Sequence, residues 1–100
     1  MSLRRRARNH QPPVPPRPAG PPPVPPPYLV VDALGRKCPI PIIMVAERIR
    51  EIPIGSVVAV LADDVAARTD VPAWCRMKSQ EFVQEEALPR GWAFHIRRMY

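Results

Sequence analysis

The run Tyr28-Leu29-Val30-Val31-Asp32-Ala33-Leu34-Gly35-Arg36-Lys37-Cys38-Pro39-Ile40-Pro41 passes from strand chemistry to helix chemistry in fourteen residues. Its first six positions are rich in β-formers and end shortly before Gly35, which predicts a strand and a turn. Proline excludes helical geometry from the residue before it and fits the first helical position, where its missing N–H costs nothing. Cys38 is therefore expected at the N-cap of a helix that starts at Pro39, with Pro41 still in the first turn. The helix runs to about Ile52, because Ile42, Val45, Ile49 and Ile52 recur at spacings of three and four while Glu47, Arg48, Arg50 and Glu51 crowd the other side. Pro53 and Gly55 stop it. The nearly unbroken apolar run Ser56–Ala62 then reads as a strand buried inside a sheet, and strand, helix, strand at this spacing implies a right-handed parallel crossover.

Asp63-Asp64 closes the second strand. A second helix is expected from about Thr69 or Asp70 to Lys78, with Val71, Trp74 and Cys75 on one face. Two β-type runs follow, Glu81–Ala87 and Trp92–Arg98, joined by Leu88-Pro89-Arg90-Gly91 as a hairpin. Trp92, Phe94 and Ile96 alternate with Ala93, His95 and Arg97, so His95 should face away from the apolar side and be wet, with a role as base for Cys38 the weaker reading. The order β-α-β-α-β-β predicts an α+β fold, a two-layer sandwich with two helices on one face of a mixed four-stranded sheet.

From Gln11 to Pro27 proline supplies most positions, a composition that cannot bury a core and prefers a solvated, extended left-handed helix. The domain boundary falls at Pro27/Tyr28, which gives an Arg/Pro-rich tail over 1–27 and a domain over 28–100, near the lower size limit for folding without staples. The formal net charge is +6. Arg4, Arg5, Arg6, Arg8 and Arg17 supply five of the positive charges, and ten basic side chains nearly balance nine acidic ones in the rest. Attraction to nucleic acid is thus a property of the tail alone, and no interleaved aromatics or Gly-rich pattern supports it. The prolines around Val14 to Pro18 also match a ligand for a proline-binding module, although low complexity explains them as well. The same composition is what a GC-rich upstream region encodes.

No apolar run follows the N-terminal arginines and nothing is long enough to cross a bilayer, so the chain reads as cytoplasmic. In a reducing compartment Cys38 and Cys75 are expected as free thiols. There is no Cys-x-x-Cys and no His/Cys pair at ligand spacing, which argues against a metal site.

The chemistry centres on Cys38. Free N–H groups, the positive end of the helix dipole, and Arg36 and Lys37 beside it all favour thiolate over thiol. A lowered pKa improves the sulfur both as nucleophile and as leaving group, which suits a relay more than a reservoir. The plainer alternative is a small buried residue at a tight turn. Cys75 reads as core, with a resolving thiol for Cys38 as the alternative. Asp63 and Asp64 read as turn and capping residues, with a partner contact as the alternative.

Asp32-Ala33-Leu34-Gly35-Arg36-Lys37-Cys38-Pro39-Ile40-Pro41 resembles the Asp-x-x-Gly-x-x-Cys-Pro-x-Pro signature of the TusA-like (SirA/YedF) sulfur-carrier family. Ala62-Asp63-Asp64 and Asp70-Val71-Pro72-Ala73-Trp74-Cys75 resemble its second landmark, and the resemblance runs from about Tyr28 to Tyr100. It implies a fold like the C-terminal domain of bacterial translation initiation factor three. It also implies a carrier in which Cys38 takes sulfane sulfur as a persulfide from a cysteine desulfurase or rhodanese-like donor and passes it to a downstream acceptor. The acceptor belongs to tRNA thiolation, molybdenum-cofactor assembly or another sulfur pathway. Gly35 permits the turn, Asp32 orders it, and Arg36 and Lys37 form a positive rim for a partner. No cofactor is required. Two other classes remain: a regulatory or nucleic-acid-associated protein using the basic tail, and a thiol redox protein using Cys38 and Cys75.

Overall fold

The computed structural model describes residues 26–100; the Arg/Pro-rich tail up to Pro25 lies outside them. Strands β1 (Leu29–Asp32), β2 (Val57–Ala62), β3 (Glu81–Ala87) and β4 (Trp92–Arg97) alternate with helices α1 (Ile40–Arg48) and α2 (Ala67–Lys78) in the expected order, β-α-β-α-β-β. The sheet order is β1-β2-β4-β3. β1 and β2 are parallel, with Val31 opposite Val60, and the other pairings are antiparallel. α1 packs on β1 and β2, α2 packs on β3, and the helices touch each other. The protein is therefore an α+β sandwich with a mixed, open sheet.

Between the layers lies one core: Val31, Val45, Ile49, Ile52, Val58, Val60, Val71, Trp74, Cys75, Phe94 and Ile96 are all buried in it. Burying aliphatic and aromatic side chains of this size stabilises by roughly 1.5–3 kcal/mol each. The helical face expected from periodicity is correct at Val45, Ile49 and Ile52, while Ile42 is only partly buried. Cys75, 1% exposed, belongs to the core.

The helix boundaries differ from the sequence reading, while the strand ends move by a residue at most. Helix α1 starts at Ile40 with Pro39 as N-cap, so Cys38 lies one residue outside the cap. The last turn before Ile52 is a 3-10 turn, Ile49–Glu51. Helix α2 starts at Ala67, earlier than expected, because Asp64 organises the chain reversal: its Oδ1 accepts the Ala66 N–H at 3.1 Å and its carbonyl accepts the Ala67 N–H at 2.9 Å.

His95 is corrected outright. It lies opposite Ala59 in the register and on the sheet face away from Phe94 and Ile96, as alternation requires, yet it is only 3% exposed. β4 is an interior strand, so neighbouring side chains cover both of its faces. Its Nε2 meets Glu86 Oε1 at 3.0 Å.

Candidate functional site

The turn between β1 and α1 is built from backbone and carboxylates. Asp32 Oδ1 accepts the Leu34 N–H at 3.0 Å, an Asx turn that orders the start of the loop. The Arg36 N–H donates to the Ala33 carbonyl at 3.1 Å, closing a turn around Gly35. Gly35 has a φ of +82°, a conformation that costs a residue bearing a Cβ. Asp32 and Gly35 thus both shape this turn, one by its carboxylate and one by its backbone conformation.

The loop after β2 clamps this turn from the side. Asp63 Oδ1 accepts the Gly35 N–H and Asp64 Oδ2 accepts the Cys38 N–H, both at 2.9 Å. The other Asp63 oxygen pairs with Arg90 Nε at 2.7 Å, and the other Asp64 oxygen holds Ala66. All four carboxylate oxygens thus bond within the chain. These bonds hold both carboxyls below the usual carboxylate range: the Gly35 N–H leads for Asp63, and the Cys38 N–H leads for Asp64. The hairpin completes the clamp at Gly91, whose φ is +75° and where a Cβ would strike the Ala62 carbonyl and lie 2.9 Å from Asp63 Cα.

Cys38 itself is partly exposed and packs against the core, and Pro41 is buried beneath it in the first turn of α1. Arg36 and Lys37 are exposed next to it and, with Gly35, Asp63, Asp64 and Val65, line a cavity of about 430 Å³.

The expectation of a stabilised thiolate is corrected here. The Cys38 thiol is shifted upward from its ordinary value, first by burial, then by the Asp70 and Asp64 carboxylates and by a hydrogen bond to Asp70. The first turn of α1 has no N–H to offer the sulfur. Pro39 and Pro41 have none, the Ile40 N–H donates to Lys37 and the Ile42 N–H to Pro39. Arg36 and Lys37 extend into solvent, where their effect is screened. The group at this site is a thiol with two carboxylates for neighbours.

Cys75 is free, as is Cys38, and burial pushes its thiol up to about 11. His95 lies on the other face of the sheet, bonded to Glu86, so it is no base for Cys38. Among the described residues no group of three or more His, Cys, Asp or Glu side chains could hold a metal ion. No helix there is long and apolar enough to cross a membrane. Sequence reasoning missed two contributors. Arg90 was legible only as a hairpin residue, and Asp70 only as part of a landmark, because both act through contacts made by folding.

Comparison with known proteins agrees with this geometry. The family model described as Sulfurtransferase TusA matches residues 29–98. Sulfur carrier protein TusA of Pseudomonas savastanoi pv. phaseolicola is 33% identical over 69 residues, which cover 69% of this chain and 82% of that protein. Its counterpart in Pseudomonas syringae pv. syringae is 34% identical over 68 residues, covering 68% of this chain and 81% of that one. The crystal structure of a SirA-like protein from Desulfitobacterium hafniense superposes with a TM-score of 0.58 at 26% identity, covering 69% of this chain and 93% of that chain. With its Asp32-to-Pro41 turn and its β-α-β-α-β-β sandwich, the chain belongs to the TusA family of sulfur carriers.

Proposed function

We propose that Cys38 is the sulfur-carrying residue, loaded as a persulfide by a cysteine desulfurase or rhodanese-like donor and unloaded onto a downstream thiol or activated acceptor. The observation that carries this reading is the clamp. Four hydrogen bonds from Asp32, Asp63 and Asp64 fix the backbone of one short turn and of the loop that grips it, and the partly exposed Cys38 sulfur is the reactive atom on it. In the loading step Cys38 gives up its proton, its sulfur attacks the outer sulfur of the donor persulfide, and the donor cysteine leaves as a thiolate that takes a proton. One S–S bond breaks and one forms, with no net oxidation and no cofactor.

The upward shift of the Cys38 thiol changes the character expected of this relay. A thiol of higher pKa is the stronger nucleophile once deprotonated and the poorer leaving group. Cys38 therefore suits a carrier that keeps its sulfur between partners. The exposed pair Arg36 and Lys37 forms the rim that meets an acidic partner surface. Asp63 and Asp64 serve that surface by holding the turn. The buried Cys75 thiol does not support the redox reading, and the nucleic-acid reading rests on a tail outside the described residues.

Intact mass after incubation with a cysteine desulfurase and cysteine tests the assignment on wild type, Cys38→Ser and Cys75→Ser. The expected result is a gain of one sulfur, about 32 Da, reversed by reductant and lost only in Cys38→Ser. A gain that survives in Cys38→Ser, or none with any competent donor, overturns it. A two-proton loss requiring both cysteines favours the redox reading.

A further inference from the structure

A cavity of about 330 Å³ opens on the sheet face turned away from α1 and α2. Tyr28, which precedes β1, and Val57, which opens β2, stand in its wall, whereas Cys38 follows β1 at the far end of the strands. With Pro26 and Val83 they make the wall largely apolar, and His95 and Arg97 of β4 add polar groups to it. Small-molecule sites run from roughly 300 to 1,000 Å³, so this one suits a compact ligand of one or two rings.

The His95 ring poses a problem of hydrogen-bond accounting. The residue is 3% exposed. Its Nε2 faces a carboxylate oxygen of Glu86 at 3.0 Å, so that nitrogen carries the proton and Nδ1 is left as an acceptor. Among the described residues Nδ1 is the one buried side-chain nitrogen or oxygen with no partner. Such a group costs free energy until a donor reaches it. The ring is part of the cavity wall, so a donor held in the cavity is placed to meet that need.

The charged groups around the cavity are already paired. Arg97 donates from Nε to Glu81 and from Nη1 to the Gly55 carbonyl, both at 2.9 Å, and Glu86 is engaged by His95. A charged ligand therefore gives up water here without a counter-ion to receive it, which is costly. A neutral one keeps the gain from apolar burial. The rings of Pro26 and Tyr28 favour a flat body, as aromatic groups stack with an offset on such surfaces.

We propose that this cavity is a binding site for a neutral heteroaromatic molecule of one or two rings, its apolar body against Tyr28, Val57 and Val83 and its N–H donating to His95 Nδ1. The site makes no use of Cys38, so it stands or falls independently of the sulfur chemistry.

N-methylindole and its carbon-methylated isomer skatole are the probes: they match in size and apolar area, and only skatole keeps the N–H. Titrated into the full, isotopically labelled chain and followed by NMR, skatole is expected to shift the Val57 and Val83 methyls and the His95 Nδ1 signal. N-methylindole should bind at least about tenfold more weakly. Val83→Phe, which fills the cavity from the edge strand β3 and outside the core, should abolish the skatole shifts and leave the amide signals of the Cys38 turn in place. Equal affinity for the two probes, a His95 Nδ1 signal indifferent to skatole, or shifts that survive in Val83→Phe overturn the proposal. So does skatole binding confined to another part of the molecule. The two probes are compared on the wild-type chain, and that comparison decides the question even where Val83→Phe does not fold.

Discussion

The Asp64 carboxylate and the Cys38 amide meet at 2.9 Å although 26 positions separate them in the chain. Through this bond the loop after β2 sets the backbone of the cysteine, and through its other oxygen the same carboxylate sets the approach to α2. Asp64→Ala is expected to speed amide exchange at Cys38 and Ala66 and to lower the urea midpoint. Asp64→Asn, which keeps an acceptor oxygen, should have a smaller effect. Equal exchange in wild type and Asp64→Ala would show that the bond holds nothing.

The direction of the Cys38 shift makes a reactivity prediction. Alkylation of Cys38 by iodoacetamide, followed on its tryptic peptide, should rise with pH to a midpoint above 9.0, the ordinary thiol value. At neutral pH the rate should fall below that of an unstructured cysteine peptide. Asp70→Asn removes a repelling charge and should move the midpoint down; a midpoint that stays in place would remove Asp70 from the account.

The Asp63 and Asp64 shifts run the opposite way and give the clamp its own pH dependence. Both carboxyls titrate below their ordinary value of 3.8 in the folded chain. Their contribution is therefore fully present above that value and is lost as pH falls through the folded pKa. Stability measured by urea titration should drop on acidification below about pH 4, and Asp63→Asn with Asp64→Asn should flatten that drop.

Gly91→Ala tests the third side of the clamp. The added Cβ meets the Ala62 carbonyl and Asp63 in a left-handed backbone conformation. The substitution should cost about 1–3 kcal/mol and loosen the Gly35 amide along with Asp63. A denaturation midpoint equal to wild type would show that the hairpin turn bears no load on the site.

Much of this was legible before folding was considered. The i, i+3, i+4 recurrence at Val45, Ile49 and Ile52 and the alternation at Trp92, Phe94 and Ile96 report faces directly, because a face depends only on local period. Cover depends on what lies beside a strand. The alternation put His95 on the correct side, but only the sheet order β1-β2-β4-β3 buries it. The thiol of Cys38 was misread for a related reason. Its sequence neighbours Arg36 and Lys37 are cations, whereas Asp70 and Asp64, which reach it in space, come from the other side of β2. The position of Cys38 ahead of α1 follows from the Cys-Pro-x-Pro step; its electrostatics follow from the fold.

Arg90, which pairs with Asp63, and Gly91, whose missing Cβ leaves room beside it, belong to the last hairpin of the fold, while the turn that Asp63 steadies belongs to the first crossover. The Cys38 turn is therefore steadied by residues from distant parts of the chain. Without the hairpin, Asp63 loses its Arg90 partner, while the Asp64 bond to the Cys38 amide does not involve the hairpin at all. The geometry around Cys38 thus depends on segments from both ends of the described fold, and a change in the last hairpin is felt in the first crossover.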